Sequence, residues 1–430
     1  MTEAPDLLLR GGSVIDPVSG ERKDADVEIR GGKITTIGRD LDPNGSPEYD
    51  CTNKLISPGW MDMHVHLREP GFEYKETIAT GCAAAAFGGF TAVACMPNTE
   101  PPIHTRDVVE FIIERAENLV VDVHPIACVS KDRAGKQLSE MADLVDGGAV
   151  AFSDDGSPVQ DSGLMRLALE YSSMVDRPVI NHMEDLTLNR DGHMNEGEVA
   201  TRLGVTGIPG LAEEVMIARD ILMAGFTGGS VHVAHISTAK AVELVRRAKR
   251  DGVNVTAEVC THHFSLTDSS VDASEYSTNT KMHPPLRTAE DVAAMKEGLR
   301  DGTIDAICTD HAPHASFEKE VEFVAAPFGI IGLETAWGLT VRELVASGVM
   351  SLEAALQKIV VAPRQILRLP VPSVSVGEAA NLTVFDDSTR WRFEERHIKS
   401  KSHNTPFVGT ELVGKAWAVY NRGRFVESEV

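Results

Sequence analysis

The spacing of apolar residues changes character twice along the chain. Over residues 6–56 it has the two-residue period of β-strands. Leu7-Leu8-Leu9-Arg10-Gly11-Gly12-Ser13-Val14-Ile15 reads as a strand with a glycine bend. Residues 25–30 alternate, turn at Gly31-Gly32 and resume at 33–37 as a hairpin. Residues 375–430 have the same texture, with strand-like runs at 380–386 and 415–420, a turn at Asn421-Arg422-Gly423 and a short return at 424–426. Neither end alone is long enough to bury a sound core. The two are therefore expected to pack together as one small β-sandwich domain, 1–56 with 375–430.

Between them, short apolar runs alternate with stretches of helical period. Candidate strands are 60–66, 91–96, 123–129, 149–154, 178–183, 230–236, 253–260 and 304–309. Candidate helices include 75–87, 106–117, 161–174, 210–223, 238–249 and 288–300. This alternation predicts parallel βα units, and eight of them predict an α/β fold, a (β/α)8 TIM barrel over 57–374. Helices from 333 onward, such as 352–361, finish or flank it. No internal repeat or low-complexity tract interrupts the pattern.

Composition narrows the classes without changing that picture. The chain has 430 residues and a net charge of −23, and no Lys/Arg cluster stands out, which argues against a nucleic-acid partner. Six cysteines without regular spacing are not a disulfide framework. Cys95, Cys260 and Cys308 fall in apolar strands and are expected to be buried thiols, as suits a reducing cytoplasm. Residues 1–10 do not read as a signal peptide, and no apolar run approaches the ~18 residues of a membrane span.

The candidate chemistry lies at the strand ends. Within 60–67, Met61, Met63, Val65 and Leu67 are expected on one face, and Asp62, His64 and His66 on the other. Two imidazoles two residues apart on one face can grip one metal ion, and neutral imidazole suits zinc and similar metals. A bare His-x-His is common in ordinary strands. This one is followed by Arg68, and later strands end in Asn98, Asp154-Asp155, His182, His235 and Asp310. In a (β/α)8 barrel the active site is built at that rim.

Alternation also chooses among neighbours. Ala149, Ala151, Ser153 and Asp155 suit the barrel mouth, and Val150, Phe152 and Asp154 the helix layer, so Asp155 is the expected ligand and Asp154 a supporting residue. His232 and His235 face opposite ways. His235 is nearer the strand end, and His232 is read as structural. Asp310 shares its face with Ile304, Ala306 and Cys308, which turns His311 away. His104, His124 and His193 read as ordinary loop or strand-start residues, His262 and His263 as supporting ones, and Met96 and Met174 as core.

These residues carry a resemblance. Over nearly its whole length the chain resembles the bacterial class I dihydroorotases of the amidohydrolase superfamily. The matching pieces are Asp62-Met63-His64-Val65-His66-Leu67-Arg68-Glu69-Pro70-Gly71, Met96-Pro97-Asn98-Thr99, Phe152-Ser153-Asp154-Asp155-Gly156, His182-Met183-Glu184-Asp185, His235-Ile236-Ser237, Lys281-Met282-His283-Pro284-Pro285-Leu286-Arg287 and Thr309-Asp310-His311-Ala312-Pro313-His314. The resemblance implies zinc-dependent, reversible hydrolysis of the cyclic amide (S)-dihydroorotate to N-carbamoyl-L-aspartate, the third step of UMP biosynthesis. It implies that His64, His66 and Asp310 hold one zinc, that His182 and His235 hold a second, and that Asp155 bridges them. Many relatives bridge with a carboxylated lysine, and residues 149–156 contain no lysine. It further implies that Asp310 is the general base turned general acid. Arg68, Asn98 and His314, with His66 and the backbone at Phe328 and Gly329, would contact the substrate. His283 stands where relatives often carry Asn, and an imidazole lacks an amide's paired donor and acceptor.

Two alternatives stay open at this level. Hydantoinases, dihydropyrimidinases and allantoinases share the cage but resemble each other in a bridging lysine, and their substrates lack this carboxylate. A non-catalytic dihydroorotase-like scaffold is the other, although such chains lose metal ligands. Besides the small-molecule substrate, the resemblance leaves open a homo-oligomer and an association with aspartate transcarbamoylase.

Overall fold

The computed structural model describes residues 6–428; residues 1–5 and 429–430, which the expected terminal domain includes, lie outside the described residues. Eight parallel strands form one sheet in sequence order: β1 Trp60–Val65, β2 Phe90–Cys95, β3 Asp122–Ala127, β4 Ala151–Phe152, β5 Val179–Asn181, β6 Val231–Val233, β7 Val255–Cys260 and β8 Ala306–Cys308. A parallel bridge between Val65 and His311, with the His66 amide donating to the His311 carbonyl at 2.8 Å, joins the first strand to the segment after the last. Helices Ile78–Phe87, Arg106–Ala116, Ser162–Met174, Gly210–Thr227, Ala239–Arg250 and Ala289–Asp301 alternate with the strands. Several start where the sequence supplies a capping side chain. Asp161 accepts from the Leu164 amide, Thr238 from Ala241 and Thr288 from Asp291. The result is the (β/α)8 barrel that the alternation predicts.

The strands are shorter than their apolar runs. β4, β5, β6 and β8 keep two or three residues each in the ladder. The residues beyond them leave the sheet, and those are the residues that carry the imidazoles and carboxylates.

Three expectations about packing are corrected. Met61 and Met63 pack inside the barrel with Ala92, Ala94, Ile126 and Ile180, whereas Val65 and Leu67 join the helix layer. The register of β1 against β2 shifts between Asp62 and Val65, so one alternation does not run through the whole segment. Val150 also packs inside the barrel rather than against the helices, because it precedes the two residues of β4 that pair regularly. Met174 is 81% exposed. It ends its helix five residues past buried Leu169, on the opposite side of a 3.6-residue turn.

The chain ends build a second sheet of eight strands: Leu7–Ile15, Arg22–Arg30, Lys33–Gly38, Glu48–Asp50, Leu55–Pro58, Leu382–Arg392, Glu411–Asn421 and Arg424–Glu427. The Ile34 amide donates to the Glu378 carbonyl and Ala380 to Gly32, tying the Lys33–Gly38 edge back to the approach of Leu382–Arg392, so the sheet curls over its own core. Alternate residues serve two interiors. Leu382, Val384 and Ala418 pack with Leu9, Val27 and Ile34, while Phe385, Ala416 and Val419 pack toward the barrel. There Phe385 meets Trp60 and Trp337, each with ring centroids 5.1 Å away. All six cysteines are buried and free. Among the described residues no helix is long and apolar enough to cross a membrane.

Candidate active site

The strand-end residues singled out in the sequence converge on Asp155. His64 Nε2 lies 3.6 Å from Asp155 Oδ1, and His66 Nε2 lies 3.4 Å from Asp155 Oδ2. His182 Nδ1 and His235 Nε2 lie 3.7 and 3.5 Å from Asp155 Oδ1, and 3.0 Å from each other. Asp310 Oδ1 is 3.0 Å from His66 Nε2 and 3.6 Å from His64 Nε2. All six residues are buried. The backbone bends to bring them in: Arg68, His235 and Asp310 have φ of +63°, +32° and +48°, a region that side chains other than glycine rarely adopt. Strain of this kind persists only where the surrounding structure holds it, and it gathers at functional sites.

The donor set fits a divalent cation. His64 Nε2 and Asp155 Oδ1 are buried, face the centre of the group and have no hydrogen-bond partner among the described residues. Leaving such atoms unpaired costs about 1–3 kcal/mol each, which coordination would offset. The first two imidazoles are fixed from behind. His64 Nδ1 lies 2.6 Å from Glu258 Oε1, and His66 Nδ1 lies 2.7 Å from Asn98 Oδ1, so each ring turns Nε2 toward the centre.

Charge reinforces the arrangement. Burial alone would raise the Asp155 and Asp310 carboxyls, but the surrounding histidines outweigh it and hold both below the ordinary carboxylate range. Burial works against a charged His64, yet Glu258 and Asp155 keep its imidazolium well above the usual value. His182 is likewise pushed up to about 10, with Asp155 and Glu184 overcoming burial. The group is therefore built of carboxylates in their anionic form around imidazoles.

Beside it sits a buried cation. Arg68 Nε donates to the Pro313 carbonyl at 3.1 Å, and a guanidinium nitrogen lies 3.5 Å from His314 Nε2. Among the described residues no carboxylate forms an ion pair with Arg68. Burial lowers its pKa to about 10. His314 Nε2 donates to the Phe328 carbonyl at 2.9 Å, and the Gly329 amide donates to the Lys281 carbonyl at 2.9 Å. The loop carrying them is tied down by two lysine side chains: Lys281 Nζ donates to the Phe323 and Val324 carbonyls, and Lys319 Nζ to those of Pro327 and Gly329. Asn98 spends its side-chain oxygen on His66, leaving its amide nitrogen for other contacts. His283 packs against the Phe328 ring, with centroids 4.7 Å apart and planes 29° from parallel.

The remaining histidines lie outside the group. His311 bonds Glu76 at 3.3 Å and accepts from the Gly332 amide. His232 bonds Thr256, and His263 bonds the Pro284 carbonyl. Asp154 accepts from the Ser130 amide at 3.0 Å and also bonds the Ser130 hydroxyl.

Sequence reasoning passed over three supporting acids. Glu258 holds His64. Asp62 accepts from the Thr309 hydroxyl at 2.5 Å and from the His64 amide at 3.0 Å, and burial raises it to about 7. Glu184 lies 3.5 Å from His182. A signal for Glu258 was present: it is the one acid in the apolar strand Val255–Cys260, and an acid there needs a partner.

The chain resembles known proteins in both sequence and fold. A "Dihydro-orotase-like" family model matches residues 53–241. A dihydroorotase from Pelotomaculum thermopropionicum is 51% identical over 420 residues, covering 98% of each chain. One from Syntrophus aciditrophicus is 49% identical over 426 residues, covering 98% of this chain and 99% of the relative. The chain belongs to the dihydroorotase family. Solved structures of L-hydantoinase from Arthrobacter aurescens and dihydropyrimidinase from Brevibacillus agri share the fold, each at a TM-score of 0.86 and 23% identity, over 98% of this chain and 96% and 95% of theirs. In this dihydroorotase-family chain the position among the four histidines is filled by the aspartate Asp155.

Proposed function

We propose that the chain is a zinc-dependent dihydroorotase that opens and closes the ring of (S)-dihydroorotate, with N-carbamoyl-L-aspartate as the open form. The observation that carries the reading is the pairing of two features within one rim: four imidazoles around Asp155, and Arg68, a buried guanidinium with no ion-pair partner among the described residues. A cyclic amide that also bears a carboxylate fits both.

In this reading His64, His66 and Asp310 hold one zinc, His182 and His235 a second, and Asp155 lies between them. Bound zinc would supply an acidified water and a polarised ring carbonyl at neutral pH. Asp310, held anionic, takes the proton of the attacking water and delivers it to the leaving ring nitrogen. In ring closure it removes the proton from the ureido nitrogen. Arg68 receives the substrate carboxylate in bidentate fashion, a geometry that lysine's point charge does not offer. His314, Asn98, His283 and the Phe328–Gly329 backbone border the ring, and the two lysines beneath that loop keep it in place. The reading divides the chain into the barrel, 57–374, and a composite domain of 1–56 with 375–430. It places the enzyme in the cytoplasm. Pairing with another copy or with an aspartate transcarbamoylase would show as a shift in elution volume, alone and mixed.

The test is ring opening of dihydroorotate, hydantoin and allantoin side by side, before and after chelation. Chelator-sensitive turnover of dihydroorotate alone is expected. Preference for hydantoin or allantoin would move the chain to the neighbouring amidohydrolases, and no turnover by zinc-loaded protein would support a scaffold.

A further inference from the structure

Between the terminal strands Leu382–Arg392 and Glu411–Asn421 the chain leaves its own sheet and runs over the rim of the barrel. Residues 399–407 of this crossing form a strap without helix or strand. It is anchored at both ends. The Ser400 amide donates to Glu334 at 3.0 Å and the Lys401 amide to Glu76 at 3.1 Å, and Glu76 in turn bonds His311, the neighbour of Asp310. At the far end Phe407 packs with Met282, Ile330, Ile331 and Leu339. Ser400, Ser402, Asn404 and Thr405 are buried although polar. Buried polar side chains need partners, and those of Asn404 lie in the barrel. Its Oδ1 accepts from the His314 amide at 3.0 Å. Its Nδ2 donates to the Ala312 carbonyl at 3.0 Å and to the Gly329 carbonyl at 3.1 Å. Its own carbonyl accepts from the Ile331 amide at 3.0 Å. An asparagine offers one acceptor oxygen and two N–H donors in a plane, and here all are used. Turned over, the amide would set its oxygen against two carbonyls, so its partners fix its orientation.

We propose that Asn404 is a positioning residue for substrate recognition: through it the terminal sheet sets His314 and the Phe328–Gly329 backbone against the substrate ring. The two stretches that border the ring, 312–314 and 328–331, meet directly at one bond, from the Ala312 amide to the Ile330 carbonyl at 2.8 Å. Asn404 adds a bond to each side of that junction and fixes their separation. Among the described residues, none of the six cage side chains bonds Asn404. Its work is therefore on the substrate side of the site, apart from the metal ligands and the proton path. Groups held in place before binding spare the ligand the cost of ordering them. The inference rests on the proposed function for the identity of that ligand.

The experiment measures ring opening over a range of dihydroorotate concentrations for zinc-loaded wild type, Asn404→Ala and Asn404→Asp, full chain in each case. Zinc content and denaturant midpoint are read on the same samples. Asn404→Ala removes all three side-chain bonds. Asn404→Asp keeps the size and the acceptor for the His314 amide, but sets an oxygen against the Ala312 and Gly329 carbonyls. In both, KM is expected to rise roughly tenfold, the worth of one unpaired buried polar group, with kcat and zinc content near those of wild type. A merely structural role would lower the folded fraction, and with it the apparent kcat, and leave KM where it was. An unchanged KM therefore overturns the proposal, as does a loss of kcat or zinc without a rise in KM. Should Asn404→Ala not fold, Asn404→Asp carries the same expectation. Failure of both to fold would make Asn404 a requirement of the fold and overturn the assignment as well. Wild type that turns over dihydroorotate beside variants of unaltered KM sinks this inference alone. Zinc-loaded wild type without turnover sinks the functional reading itself.

Discussion

At His64 and His66 the ring nitrogen turned away from Asp155 is held by a neighbour, Glu258 at 2.6 Å and Asn98 at 2.7 Å. At the other two histidines the hold is weaker. His235 Nδ1 is buried without a hydrogen-bond partner among the described residues, and His182 Nε2 stands 3.5 Å from Glu184. The first half of the cage also has its own acid, Asp310, whereas the second shares Asp155. Partners behind a ligand fix its tautomer and raise its basicity, and losing one typically costs 10–100-fold in metal affinity or activity. The two halves should therefore differ both in how tightly they hold an ion and in what they contribute to the reaction.

The largest effect should come from the acid that only the first half has. Asp310→Asn keeps the size of the side chain but can neither take nor return a proton. Turnover should fall by about 10²–10⁴-fold, the usual worth of general acid–base catalysis, and further if zinc is also lost. Zinc content measured on the same sample separates the two effects. Near-normal turnover would remove Asp310 from the proton path. Arg68→Lys comes next: it should weaken dihydroorotate binding far more than binding of a neutral cyclic imide, and equal losses on the two would remove Arg68 from carboxylate recognition.

The inequality of the halves has its own test. Glu258→Gln keeps an acceptor for His64 but removes the charge, and should weaken the first ion by about 10–100-fold. In wild type, stepwise chelation should release one zinc well before the second, with the early ion lost selectively in His235→Ala. Simultaneous release of both from wild type would mean that the partners behind His64 and His66 make no difference.

How much of this could be read from sequence depends on the kind of residue. The barrel was legible because each βα unit repeats a local pattern, and helix starts such as Asp161 and Thr288 carry their own caps. The strand-end histidines and aspartates stood out because polar residues closing apolar runs have few structural uses. Less legible was anything set by pairing between distant strands. The register shift that sends Met61 and Met63 inward depends on β2, and Glu258 gains its role only when β7 lies across from His64. Residue 283 was visible as an oddity, but its approach to Glu184 is fixed by loops, which no period encodes.

The smallest predicted effect lies outside both halves, in the loop that carries Phe328. Lys319 is buried, with Nζ bonded to the Pro327 and Gly329 carbonyls, and burial with Lys281 nearby lowers its pKa to about 7. An unfolded lysine keeps its proton to about pH 10.4. Between those values the unfolded chain binds more protons than the folded one, so this group makes stability rise with pH across that window. Below pH 7 both states are charged and the burial penalty is complete. A neutral amine still donates to both carbonyls, whereas methionine donates to neither. Lys319→Met should therefore cost more stability at pH 9 than at pH 6.5, read as the difference in denaturant midpoint between the two proteins. The cage histidines and carboxylates are common to both and largely cancel in that difference. A cost that stays flat or shrinks with pH would mean that Lys319 remains charged in the folded chain, and that the loop is pinned by an ammonium ion throughout.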